Sequence, residues 1–219
     1  MEVKICGVRD LQAAIVAVEA GAAAVGLVFA QSPRRIDPIA AARIVSQLPS
    51  DVAAVAVFRH PSRAELLDVL EAVPVDFVQS EPGPATQLAE EAGVRLLPVV
   101  HDGPGVVGAR PTDEPGPVLL EGAGRGGRGV RPDWSRAARL ATRCTLVLAG
   151  GLRPENVAAA IRFVRPAAVD VSSGVESRPG VKSAQRIRAF IREAQAAGAD
   201  PALSAAGRSP VFHVTRYSR

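Results

Sequence analysis

Eight short apolar runs rich in β-branched residues recur along this chain. Between most of them lie stretches dominated by alanine, leucine and arginine with helical spacing. The runs fall at residues 3–6, 24–29, 53–58, 76–79, 95–100, 118–121, 145–149 and 168–171. Strand–helix alternation of this kind puts the strands in a parallel sheet with helices on its outside. Eight strands are also the number at which a closed sheet fills its interior with side chains. The expected fold is therefore α/β, a (β/α)₈ barrel. A doubly wound open sheet is the rival architecture, but no Gly-x-Gly-x-x-Gly turn follows the first strand.

Helices are expected at 11–19, 38–48, 62–72, 84–92, 135–141, 154–164 and 183–197. Gly21 suits a helix C-terminus and Pro38 a first turn. Asp133 or Ser135, and Ser183, are candidate N-caps. The segment 102–117 is rich in glycine and proline. It reads as a loop, so the helix after strand five is expected to be missing. The barrel domain is assigned to 1–198. Residues 199–219, with Pro201, Gly207 and Pro210 and no clear periodicity, read as a C-terminal tail without fixed structure.

The sequence pI is about 9.8, but Lys4 and Lys182 are the only lysines and the arginines are scattered. Aromatic residues make up 4% of the chain. A nucleic-acid surface needs clustered cations, often with stacking aromatics, so no nucleic-acid partner is expected. Apolar runs fall far short of the ~20 residues that span a bilayer. Residues 1–7 carry no signal-peptide pattern. A cytoplasmic protein without membrane partners is the expectation. Cys6 and Cys144 fall at opposite ends of their strands, roughly 15 Å apart, too far for a disulfide. His60, His101 and His213 do not assemble with them into a metal site.

Barrels of this type carry their chemistry at the carboxyl ends of the strands. Cys6 ends the first strand, where Gly7 behind it favours an exposed, reactive thiol. Glu121 ends the sixth, and Asp170 lies near the end of the eighth. Gly150-Gly151 follows strand seven and Ser172-Ser173-Gly174 follows strand eight. Glycine turns let backbone N–H groups approach an anion and serines add donors, so phosphate is expected there.

Several of these segments resemble the phosphoribosylanthranilate isomerase family. They are Val3-Lys4-Ile5-Cys6-Gly7, Ser32-Pro33-Arg34-Arg35-Ile36, Leu148-Ala149-Gly150-Gly151 with Pro154-Glu155-Asn156, and Asp170-Val171-Ser172-Ser173-Gly174-Val175-Glu176 with Pro179-Gly180-Val181-Lys182. The resemblance implies an aldose–ketose isomerase of tryptophan biosynthesis that performs an Amadori rearrangement on a phosphorylated aminosugar without metal or organic cofactor. It implies Cys6 as general base, an acid at position 121, Arg34 against an aromatic carboxylate, and Gln79 and Asp170 as substrate contacts. Three departures stand out. Glu121 occupies the place of the family's aspartate, and Glu81 that of a histidine. The 125–129 loop carries Arg125 and Arg128. A paralogue acting on another aminoaldose phosphate, and a catalytically weak phosphate-binding barrel, are the alternative readings. Either a monomer or a homodimer is compatible with the sequence.

Overall fold

The computed structural model describes residues 1–83, 88–89, 91–103, 116–123, 129–201 and 210–214. Eight parallel strands close into a barrel in sequence order. They are β1 (Glu2–Cys6), β2 (Ala24–Val28), β3 (Ala53–Val57), β4 (Phe77–Ser80), β5 (Arg95–His101), β6 (Pro117–Glu121), β7 (Thr145–Leu148) and β8 (Ala168–Val171). Closure is made by β1 against β8, with Val3 opposite Val169 and Lys4 opposite Asp170.

Around them lie α1 (Leu11–Glu19), α2 (Pro38–Val45), α3 (Arg63–Ala72), α4 (Trp134–Ala141), α5 (Val157–Val164) and α6 (Ala184–Gly198). Their starts are set by local hydrogen bonds. Asp10, Asp37 and Asp133 each accept backbone N–H groups of the first turn. Ser62 and Glu65 form a reciprocal capping box on α3. Asp133, not Ser135, caps α4, and Ser183 caps α6. Of the helix expected at 84–92, Leu88, Ala89 and Glu91 are helical and the rest lies outside the described residues. No helix stands between β5 and β6 among the described residues; 104–115 lie outside them.

Side chains of successive strand residues point to opposite faces, which divides the core in two. Outward residues such as Val3, Ile5, Val25 and Leu27 pack under the helices. Inward residues such as Val55, Leu97, Leu119 and Val147 fill the barrel. The lower interior is lined by small residues, Ala24, Ala53 and Ala168.

That space is filled from the C-terminal segment. Val211, Phe212 and Val214 are buried in the interior cluster. Phe212 meets Phe77 edge-on at 5.8 Å between ring centroids. The backbone N–H groups of Val211 and Phe212 donate to the Glu2 carboxylate. Arg95 lies 4.0 Å over the Phe77 ring and donates to the His213 carbonyl at 2.9 Å. The expectation of a tail without fixed structure is corrected for residues 210–214. Their apolar side chains have a cavity to fill, which the local sequence does not reveal.

Behind β8, a turn of 3₁₀ helix (Ser173–Val175) leads into a small hairpin of β9 (Glu176–Arg178) and β10 (Val181–Lys182). This hairpin reaches across to the loop after β2. Gly180 takes a left-handed conformation there, with Pro33 O packed so close that any side chain would collide.

Candidate active site

The inward alternation of β1 puts Lys4 and Cys6 on the interior face, two residues apart. Lys4 is fully buried, and its ammonium donates to Asp170 at 2.7 Å. Burial disfavours the charge on Lys4, but Asp170 and Cys6 outweigh it and hold the ammonium in its charged form. Gly26 is opposite Cys6 on β2. A side chain there would come within 3.0 Å of the Cys6 sulfur and 3.1 Å of the Lys4 nitrogen. The missing Cβ is therefore what gives both groups their space.

Cys6 itself is only 7% exposed. The exposed thiol expected from its strand-end position is corrected. Gly7 is covered by the Arg34 side chain, whose Cδ lies 2.7 Å from where a Cβ would stand. Burial raises the Cys6 pKa above the ordinary thiol value, against the pull of Lys4 and, more weakly, Lys182.

Arg34 makes two hydrogen bonds to Glu176, at 2.7 and 2.9 Å. Lys182 donates to the same carboxylate at 3.0 Å and to the carbonyl of Ser172 at 3.0 Å. Burial pulls Lys182 down from its ordinary value, while burial of Glu176 is outweighed by Arg34 and Lys182, which hold its carboxyl low. This network ties the loops after β1, β2 and β8 together at one rim. Gly150 and Gly151 both take left-handed conformations after β7. Asn156 anchors their turn, donating to the Gly151 carbonyl and accepting from the Arg153 N–H, both at 2.9 Å. Gly174 sits against Leu152 O, where a Cβ would clash. The turns after β7 and β8 are thus packed against each other.

On the far side of the mouth, Glu121 ends β6 facing inward. Burial raises its pKa, Asp170 raises it further, and His101 and Lys4 oppose the rise. No hydrogen bond to its carboxyl occurs among the described residues. Gln79, inward on β4, is buried, and its amide oxygen has no partner among the described residues. Cys6, Gln79, Glu121 and Asp170 therefore share one interior space, with Arg34 and the two glycine-serine turns at its rim. Arg125 and Arg128 lie outside the described residues.

Cys144 is half-buried behind β7, its sulfur 3.6 Å from the Leu140 carbonyl, and both cysteines are free. No metal-binding group of His, Cys, Asp and Glu occurs among the described residues. No described helix is long and apolar enough to cross a membrane.

A family model, N-(5'-phosphoribosyl)anthranilate (PRA) isomerase, matches residues 3–193. The chain belongs to the PRA isomerase family. It is 42% identical over 200 residues to the N-(5'-phosphoribosyl)anthranilate isomerase of Pseudomonas aeruginosa strain LESB58, covering 87% of this chain and 93% of that one. Identity to the enzyme of the same name from Geobacter sp. strain M21 is 41% over 201 residues, covering 89% and 98%. Among solved structures, phosphoribosyl anthranilate isomerase from Thermotoga maritima superposes with TM-score 0.79 at 37% identity, covering 90% of this chain and 99% of that one. Another PRA isomerase structure, in complex with reduced 1-(o-carboxyphenylamino)-1-deoxyribulose 5-phosphate, gives 0.76 at 37% identity, with the same 90% and 99% coverage. The chain is an aldose–ketose isomerase with the barrel of the PRA isomerase family.

Sequence reasoning passed over Lys4, Gly26, Glu176, Lys182 and His101 as functional positions. One signal was available. The two lysines of an otherwise arginine-using chain both lie at this site. Arginine is a rigid fork and lysine a compact point charge; only the latter fits beside Cys6 inside the barrel.

Proposed function

We propose that this protein catalyses the Amadori rearrangement of N-(5-phosphoribosyl)anthranilate to 1-(o-carboxyphenylamino)-1-deoxyribulose 5-phosphate in tryptophan biosynthesis. The observation that carries the reading is the pair formed by Cys6 and Glu121. One buried thiol and one half-buried carboxyl, both inward, approach the mouth from β1 and β6. The reaction needs one base and one acid on different sides of the sugar.

Glu121, whose carboxyl burial pushes above its ordinary value, gives its proton to the furanose oxygen from its protonated form. The C1–O bond breaks as the nitrogen lone pair forms the iminium. The Cys6 thiolate then removes the C2 proton, giving the enolamine, which tautomerises to the ketone. Lys4, held by Asp170, stabilises the thiolate through its charge. The Asp170 oxygen not used by Lys4 and the unpartnered Gln79 oxygen are suited to accept sugar hydroxyl hydrogens. A buried oxygen left unpaired in the free protein is costly unless a ligand pairs it. The phosphate is assigned to Gly150, Gly151, Ser172, Ser173 and Gly174, where barrels of this kind commonly bind it. Arg34, at the same rim, is assigned to the anthranilate carboxylate. No step requires a metal or organic cofactor.

The decisive measurement is turnover of phosphoribosylanthranilate by the purified protein, followed by loss of substrate fluorescence, beside Cys6→Ala and Glu121→Gln. Turnover that falls by about 10²-fold or more in each variant is expected. No turnover by the native chain, or undiminished turnover in either variant, overturns the assignment.

A further inference from the structure

The mouth of the barrel contains a second polar group that the scheme above leaves idle. His101 ends β5 and Glu81 follows β4, so with Glu121 they stand at the ends of three adjacent strands. His101 is paired directly with Glu121 in the β5–β6 register. Residues paired across parallel strands project to the same side of a sheet, and Leu97, Val99 and Leu119 show that this side is the interior. The imidazole is fixed from the other side, its Nε2 lying 3.2 Å from the Glu81 carboxylate. Its Nδ1 is buried and has no partner among the described residues. A histidine with one nitrogen tied to a carboxylate and the other buried and unpaired beside an inward acid is costly for the fold alone.

We infer that His101, oriented by Glu81, is a positioning residue for Glu121 in the isomerisation, acting on the acid across the β5–β6 pairing. The inference rests on the reading of Glu121 as the acid.

The charged groups that act on the Glu121 carboxyl come from four neighbours. Asp170 on β8 and Glu81 after β4 favour its protonated form. Lys4 on β1 and His101 on β5 favour its carboxylate. Lys4 and Asp170 already neutralise each other at 2.7 Å. The Glu81–His101 pair stands on the strands next to Glu121, and its members act on Glu121 with opposite sign. Replacing His101 by asparagine removes a group that favours the Glu121 carboxylate and moves the titration of Glu121 to higher pH. Replacing Glu81 by glutamine removes an anion and moves it to lower pH. A side chain that served only to pack β5 would displace both profiles alike or neither.

The test uses the full chain with Glu121→Gln, His101→Asn and Glu81→Gln. Two readouts are taken: the pH profile of kcat/KM, and the titration of the Glu121 side-chain carboxyl by carbon NMR, which needs no turnover. Upward displacement in His101→Asn and downward displacement in Glu81→Gln, with KM changed by less than about threefold, is the expected result. Unmoved or parallel titrations in the two variants, with Glu121→Gln inactive, overturn this inference and leave the acid assignment standing. Undiminished turnover in Glu121→Gln overturns both. His101→Gln, which keeps a polar side chain of similar length, replaces His101→Asn if the latter does not fold.

Discussion

Lys4 and Asp170 face each other across the seam that closes the barrel, paired in register on β1 and β8 with their side chains 2.7 Å apart and out of solvent. The pair serves two ends. It satisfies two charges that the interior cannot hold singly, and it places a fixed cation beside the Cys6 sulfur.

Breaking that pair should separate the two effects. Lys4→Met leaves a buried carboxylate uncompensated, which costs about 3–5 kcal/mol in comparable cases. The double variant Lys4→Met/Asp170→Asn removes both charges and should recover most of that loss in urea denaturation. It should not recover activity, because Cys6 has still lost its cation. Full activity in the double variant would show that Lys4 acts through stability alone.

The pH dependence follows from the two raised groups. Reference values for a thiol and a carboxyl are about 8.5 and about 4.3, and burial raises both Cys6 and Glu121. The thiol starts about four units above the carboxyl, and that order sets the profile. The productive form needs the thiol deprotonated and the carboxyl protonated, which is the minority combination between the two titrations. kcat/KM should rise with pH until Glu121 titrates, run level, and fall once Cys6 titrates. Lys4→Met, which raises Cys6 further, should lower the plateau and move the upper fall to higher pH. A fall that does not move removes Lys4 from the control of Cys6.

Glu121→Asp tests whether this site is built around the longer acid. A 1 Å displacement of a catalytic group can cost on the order of 100-fold. We expect no gain in kcat/KM on shortening the side chain. An increase of tenfold or more, about 1.4 kcal/mol of transition-state stabilisation, would mean that the pocket still fits aspartate.

Gly26→Ala should act on chemistry more than on folding. The added methyl meets the Cys6 sulfur at 3.0 Å and both the Cys6 Cα and the Lys4 nitrogen at 3.1 Å, tighter than normal contact. Both side chains must give way by a few tenths of an ångström. The expected result is a fall in kcat of roughly tenfold or more, given the sensitivity of catalytic geometry, with KM little changed. Native kcat would show that the cysteine–lysine spacing is not critical.

Phe212 lies at the end of the barrel away from the site, so its loss should leave KM alone. Phe212→Ala empties a fully buried position and should cost about 3 kcal/mol, read as a lowered Tm. A chain ending at residue 209 should show at least the same loss. Unchanged stability in both would mean that the segment adds nothing to the floor of the barrel.

The eight apolar runs and their spacing determined the barrel, because strand–helix alternation repeated eight times calls for a parallel sheet covered by helices, and eight strands close it. They also placed Cys6, Glu121 and Asp170 at strand ends, and the glycines of 150–151 and 174 in the turns beyond. What they could not give is which inward residues meet. Lys4 and Asp170 are 166 residues apart, and only closure of β1 on β8 makes them partners. The burial of Cys6 was likewise invisible, because it depends on how β1 packs in the closed barrel beside Gly26 of β2. His101 looked isolated until β4, β5 and β6 set Glu81 on one side of it and Glu121 on the other. Phe212 reads as an aromatic in a proline-containing tail without clear periodicity; the cavity that receives it is made by alanines from strands that begin 44 to 188 residues earlier. Periodicity is a local property and is legible in sequence. Charge pairing, burial and cavity filling are properties of distant segments brought together, and the tertiary structure alone decided them.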